Sequence, residues 1–185
     1  MTALALLRHA DTAWSVAGRI QGRADVPLLP GASCRLPERC RGMRVVTSPL
    51  LRCVQTAQLL GAGEAEREPR LIEMDWGVWQ GETLARLRGE ASMIENEARG
   101  LDFRPAGGES PREVLARLRP WLRHVGHDGR PTLGITHRGV IRAVLAEACG
   151  WDMRGPPPEK LDWGAVHFFS VDADGRPSVD CLNVR

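Results

Sequence analysis

Ala3-Leu4-Ala5-Leu6-Leu7 runs straight into Arg8-His9. An apolar run without polar alternation reads as a β-strand buried on both faces. In open α/β sheets, ligands bind just past the carboxyl ends of such strands, so a charged pair at that point calls for a chemical explanation. The arrangement recurs twice. Met43-Arg44-Val45-Val46-Thr47 leads into Ser48-Pro49-Leu50-Leu51-Arg52, and Thr132-Leu133-Gly134-Ile135-Thr136 leads into His137-Arg138-Gly139. Three strands would thus deliver two histidines and at least two arginines to one edge of a sheet.

The segments between these strands set the architecture. Residues 11–31 contain Gly18, Gly22, Pro27 and Pro30 without a sustained period, which predicts a long loop of functional use lying over the pocket. Ser33 can cap a short helix from Cys34 that Pro37 interrupts. Ser48 as N-cap, Pro49 at the first helical position and Gly61 at the end predict a helix over 49–60. Arg70-Leu71-Ile72 reads as a short strand leading to Glu73. Over 82–99, Leu84, Leu87, Ala91 and Ile94 are spaced for one helical face. Ser110-Pro111 with Glu113 has the capping-box form and opens a helix whose apolar side is Val114, Leu115, Leu118, Trp121 and Leu122. A helix over 139–149 closes at Gly150, and 166–171 and 178–182 flank the turn Asp174-Gly175 as a hairpin. Strands alternating with helices, then a hairpin, predict one α/β domain over 1–185. The expected form is a three-layer α/β/α sandwich, with a mostly parallel central sheet and antiparallel edge strands.

Composition narrows the function classes. The 185 residues, 43% apolar, suffice for one ordinary core. A formal charge of +2 gives no case for nucleic-acid or membrane binding, and no run approaches the roughly 18 apolar residues of a membrane span. Lys160 is the only lysine; every other residue in the basic count of 25 is arginine. Arginine's fork suits phosphate, but a coding bias produces the same composition, so each arginine is argued from its position. Cys34, Cys40, Cys53, Cys149 and Cys181 are odd in number and lack CxxC or Cys/His spacing, which fits free thiols in a reducing compartment. The first strand starts almost at Met1, leaving no room for an export segment, so a cytoplasmic location is expected. His124, His127 and His167 stand in no ligand motif; no metal is indicated, and nothing requires a cofactor.

Five motifs in order carry a resemblance. They are Leu7-Arg8-His9-Ala10-Asp11-Thr12, Ser48-Pro49-Leu50-Leu51-Arg52 with Gln55-Thr56-Ala57, Glu73-Met74-Asp75-Trp76-Gly77, Gly107-Gly108-Glu109-Ser110 and Thr136-His137-Arg138-Gly139. Together, from about Leu4 to Ala146, they resemble the histidine phosphatase superfamily in its phosphoglycerate-mutase-like branch. The Glu73 to Gly81 segment, with its tryptophans, also resembles the α-ribazole-5′-phosphate phosphatases within it, and the same features occur in its broad-specificity and sugar-phosphate phosphatases.

The resemblance implies a phosphomonoester hydrolase that needs no metal and acts on a small phosphorylated metabolite. It makes His9 the nucleophile, forming a phosphohistidine, with Arg8, Arg52 and His137 holding the phosphoryl oxygens. Such transfer is mostly a matter of stabilising charge on those oxygens. The leaving oxygen needs an acid. Glu73 matches the family acid by position, with Trp76 and Trp79 able to exclude water and raise its pKa; Asp75 and Asp11 compete for the role. Thr12, Ser15, Arg19, Gln21 and Gly22 fall in the covering loop as phosphate or access residues. Ala10 stands where the family usually has glycine, and Ser15 stands near a position where asparagine is common. Arg138 stands where a small residue is frequent, and either binds a second anionic group of the substrate or points outward. Trp14 joins Trp76 and Trp79 in segments bordering the pocket. A mutase would use the same core, but family mutases are longer, with insertions over the pocket, so hydrolysis is expected. A protein that merely binds a phosphorylated ligand would usually have lost one of these five central residues. The oligomeric state is not readable.

Overall fold

The computed structural model describes residues 1–185. Its six strands are β1 (Thr2–Arg8), β2 (Arg44–Thr47), β3 (Glu66–Arg67), β4 (Thr132–Thr136), β5 (Val166–Val171) and β6 (Pro177–Val184), in the sheet order β3-β2-β4-β1-β5-β6. β1 to β4 pair in parallel, and β5 and β6 add an antiparallel edge. The six helices are α1 (Ala13–Val16), α2 (Leu51–Leu59), α3 (Leu84–Leu87), α4 (Ala91–Glu97), α5 (Pro111–Asp128) and α6 (Arg138–Cys149).

β1 supplies both faces of the sheet. Leu4 and Leu6 join a core with Val114, Leu118 and Trp121 of α5 and Val140, Ile141 and Val144 of α6, whereas Ala5 and Leu7 pack with Cys53 and Ala57 of α2. These are the three layers. At about 1.5–3 kcal/mol for each fully buried large apolar side chain, this two-sided burial fixes the register of β1, and hence where Arg8 and His9 emerge. Register places Arg8 opposite Thr136, and the chain continues the ladder one step beyond: His9 N–H donates to Thr136 O (3.0 Å) and Ser48 N–H to Ile135 O (2.9 Å). The carboxyl ends of β1, β4 and β2 therefore lie side by side, as the sequence predicts.

Local expectations fail at four places. The helix read as 49–60 spans Leu51–Leu59, and Ser48 does not cap it. The Ser48 hydroxyl is taken by His137 (2.7 Å), and the first-turn amide of Leu51 donates instead to Asp25 Oδ1 of the covering loop (2.6 Å). Arg70-Leu71-Ile72 is not a strand. Pro69–Leu71 forms a 3₁₀ turn whose start is capped by the Glu68 carboxylate accepting from Arg70 N–H (2.9 Å), and the short strand lies earlier, at Glu66–Arg67. No helix starts at Cys34; a 3₁₀ turn follows Pro37 at Glu38–Cys40. Residues 82–99 break into α3 and α4, so that Leu87 and Met93 pack with Ile20 and Trp79 while Ile94 is exposed. By contrast, the capping box of Ser110 and Glu113, the helix after His137 and the final hairpin form as read. All five cysteines are free, and no helix is long and apolar enough to cross a membrane.

Candidate active site

A cavity of about 380 Å³ opens at the shared strand ends. Arg8, His9, Arg52 and Glu73 line its closed end, and Ser15, Arg19, Gln21 and Gly22 of the covering loop form its roof. Four residues expected in that loop therefore border the cavity. Thr12 does not: its hydroxyl accepts from Ser15 N–H (3.0 Å) to cap α1 and donates to Gln21 Oε1 (2.8 Å), so it shapes the loop from within. The loop is tied down at several points. Gln55 Oε1 accepts from Leu28 N–H (2.8 Å), and Gln80 Oε1 accepts from Arg23 N–H (2.9 Å).

His9 is buried, and its Nδ1–H donates to the Ala10 carbonyl (2.7 Å). That bond fixes the tautomer and leaves the lone pair on Nε2. Burial, reinforced by the charges of Arg8, Arg52 and Arg138, holds its pKa well below the ordinary histidine range, so the ring is neutral. The amide of Ala10 is anchored on Thr56 Oγ1 (2.9 Å). Arg8, itself buried, reaches Asp11 Oδ1 at 3.4 Å.

Arg52 is fully buried at the start of α2, and its donors are largely committed. Nη1 donates to Ala24 O (2.7 Å), Nη2 to Gly22 O (2.8 Å) and Nε to His137 Nδ1 (3.3 Å). A guanidinium has five N–H groups; two remain for a ligand. His137 is likewise fully buried, with burial and then Arg52 pressing its pKa well below the ordinary range. Because Nδ1 accepts from Arg52, the proton sits on Nε2, which donates to Ser48 Oγ (2.7 Å). The two histidine rings lie 5.3 Å apart, but His137 does not line the cavity. In this geometry it orients Arg52.

Of the three candidate carboxylates, Glu73 alone lines the cavity that holds His9 and Arg52. Its oxygens accept from Met74 N–H (2.8 Å) and Gly139 N–H (3.3 Å), and burial raises its pKa above the ordinary carboxylate range despite those bonds. The position of Glu73 is set from α5: Arg117 donates to the carbonyls of Arg70 and Ile72, the latter at 2.7 Å, while pairing with Glu109 (2.8 Å). Asp75 turns away to accept from Gly77 N–H (2.9 Å) and to face Arg23 (3.6 Å). Asp11 is held by Arg8 and by the Ser15 hydroxyl (3.0 Å) on the outer side.

The tryptophans divide differently from the expectation. Trp76 borders the cavity; Trp79 is buried behind it with Ile20 and Leu87, and Trp14 lies over Gly81. Trp163, just before β5, is a wall residue that no periodicity or motif signals. Arg142 also lines the cavity, and its place four residues after Arg138 on one helix is the signal a sequence offers for it. Ser48 acts through its hydrogen bond to His137, and Arg117 through its bonds to the backbone just before Glu73, which a sequence does not display.

The chain is 32% identical over 163 residues to the glucosyl-3-phosphoglycerate phosphatase of Mycobacterium tuberculosis, covering 77% of this chain and 73% of that protein. A bifunctional protein of the same organism is 29% identical over 195 residues; it covers 98% of this chain, which spans about half (54%) of that protein's length. Among solved structures, a mycobacterial glucosyl-3-phosphoglycerate phosphatase in complex with VO3 superposes with a TM-score of 0.77 at 25% identity, with all of both chains covered. The model of the histidine phosphatase superfamily (branch 1) matches residues 4–185. With that match spanning nearly the whole chain, and with a neutral histidine and buried arginines gathered at the ends of its parallel strands, the protein belongs to the histidine phosphatase superfamily.

Proposed function

We propose that this chain, as one catalytic domain, hydrolyses monoesters of phosphate on small metabolites through a phosphohistidine, without a metal. One observation carries the proposal: neutral His9, its Nε2 lone pair free, shares a cavity with Arg8, Arg52 and the buried carboxyl of Glu73.

In the first step His9 Nε2 attacks phosphorus, the bond from phosphorus to the leaving oxygen breaks, and the Glu73 carboxyl gives that oxygen its proton. Arg8 and the two uncommitted N–H groups of Arg52 carry the charge of the phosphoryl oxygens, a task for which oriented donors in a water-poor site are effective. In the second step the Glu73 carboxylate takes a proton from water, the water oxygen attacks phosphorus, and the P–N bond breaks. This releases inorganic phosphate and restores neutral His9 and protonated Glu73. His137 contributes by holding Arg52 rather than by touching the substrate.

Phosphatase names among the relatives and the VO3 complex of the mycobacterial enzyme support this reading. The experiment is a screen over small phosphomonoesters, run beside a 3-phosphoglycerate mutase assay and repeated after exhaustive EDTA treatment. Expected are phosphate release that survives EDTA, inhibition by vanadate, and an acid-labile phosphoenzyme that is absent from His9→Ala although its circular dichroism is unchanged. Activity lost to EDTA and restored by a divalent ion, or retained by His9→Ala, would overturn the mechanism.

A further inference from the structure

The cavity is more basic than phosphate capture requires. Six arginines line it, Arg8, Arg19, Arg52, Arg88, Arg138 and Arg142, against two carboxylates, Glu73 and Glu97. Of the six, only Arg8 has a carboxylate partner within 4 Å. Two of the others form a pair. Arg138 and Arg142 stand at i and i+4 on α6, the spacing at which helical side chains are neighbours, and both face the cavity that holds His9. Each guanidinium is seated on an indole: Arg138 Cζ lies 5.0 Å from the centre of the Trp163 ring, and Arg142 Cζ lies 5.2 Å from that of Trp151. A guanidinium laid on an aromatic face is oriented at little cost while its N–H edge stays free. Neither makes a hydrogen bond or an ion pair within the chain.

The Trp163 seat is itself fixed. Asp162 N–H donates to Asn183 Oδ1 (2.7 Å), the Asp162 carboxylate pairs with Arg185 (2.6 Å), and the Trp163 ring packs edge-on against the buried ring of His167.

We infer that Arg138 and Arg142 form a receptor for a second anionic group on the substrate, so that the preferred substrate is a phosphomonoester whose alcohol portion carries a carboxylate or another phosphate. The inference rests on the phosphatase reading and names its substrate class. The start of α6 explains the placement: the helix begins directly after His137, so Arg138 and Arg142 fall in its opening turns, beside the cavity that holds His9.

The test is a three-carbon series differing only at the far carbon: 3-hydroxypropyl phosphate, the phosphate ester of 3-hydroxypropionate, and propane-1,3-diyl bisphosphate. For the wild-type chain, kcat/KM for at least one anionic member should exceed that for the neutral ester by at least tenfold, and which one does identifies the group as carboxylate or phosphate. Arg138→Leu and Arg142→Leu should each lower that anionic-to-neutral ratio about tenfold, in line with a charged hydrogen bond. Arg138→Lys should recover part of the ratio. Arg130→Leu, an exposed arginine before the opposite end of β4, should leave it unchanged. Equal use of all three esters, or an unaltered ratio in both leucine variants, overturns the receptor and leaves the phosphatase reading standing. No hydrolysis of any ester overturns both.

Discussion

Arg52 Nε donates to His137 Nδ1 across 3.3 Å, both side chains fully buried, so the arginine is oriented by the histidine and the histidine's tautomer is dictated by the arginine. If the pair acts as one unit, its deletions will not add. Arg52→Ala and His137→Ala should each lower kcat/KM by about 10²–10³, as for loss of one oriented donor, and the double variant should be no worse than the poorer single one. A double loss equal to the product of the two single losses would show that they act separately.

Glu73 is expected to protonate the leaving oxygen. Glu73→Gln should therefore slow phosphoenzyme formation strongly for alkyl phosphates and much less for p-nitrophenyl phosphate, whose phenolate leaves without help. Burst kinetics isolate that step from the later attack of water. The pH dependence has a definite sign: since burial raises the Glu73 pKa, the protonated form persists above the ordinary carboxylate range, and the alkyl-ester step should decline as pH rises through that raised value. Equal losses on both substrates would remove Glu73 from this role.

Gly139 is one of two residues, with Met74, whose amides meet the Glu73 carboxylate. A methyl group there would stand 3.1 Å from Met74 Cβ and nearer still to Glu73 Oε1. Gly139→Ala should thus shift the carboxylate and lower kcat on alkyl phosphates by about 10²-fold, the usual cost of misplacing a catalytic group by an ångström, with little change in melting temperature. Wild-type kcat in this variant would show that the carboxylate position is not critical.

His167 gives the fold an acid-sensitive point behind the cavity wall, packed against Trp163. It is fully buried, its Nε2 has no hydrogen-bond partner, and burial lowers its pKa to about 4. A folded-state pKa below the unfolded value means stability that is complete above the unfolded pKa and is lost as pH falls through the folded one. Between about pH 6.5 and pH 4 the loss from this residue should approach about 3 kcal/mol as an upper bound. His9 and His137, lowered in the same direction by burial, should steepen it. Urea titrations at pH 7 and pH 5 should show the decline, and His167→Gln should reduce it; an identical decline in that variant would acquit His167.

Legibility in the sequence followed the range of the forces involved. The apolar run of β1 and the capping box at Ser110 are local patterns with one physical reading, and both were recovered. The order of motifs points to His9, Arg8, Arg52, Glu73 and His137, and the fold gathers the first four around one cavity with His137 bonded to Arg52. What could not be read was competition between distant partners. Ser48 has the chemistry of an N-cap, and only the arrival of His137 from β4 turns its hydroxyl elsewhere. Asp25, more than twenty residues away, then meets the amide left over. Met93 displaced Ile94 from the interior because the helix read over 82–99 broke in two, changing the phase of the second half. Trp163 lines the cavity through tertiary position alone.

Because β1 is clamped by packing on both faces, Arg8 and His9 have no slack: repositioning them would require repacking the interior on two sides at once, with individual large-to-small changes costing about 2–5 kcal/mol. Arg138, Arg88 and the roof residue Arg19 stand at the cavity rim with solvent on one side, where substitutions usually change stability by no more than about 0.5 kcal/mol. Reaction and recognition are thereby separated in their tolerance to mutation. On the proposed function, such a scaffold would exchange one phosphorylated substrate for another by surface replacements while the strand-end residues Arg8 and His9 stay fixed by the core.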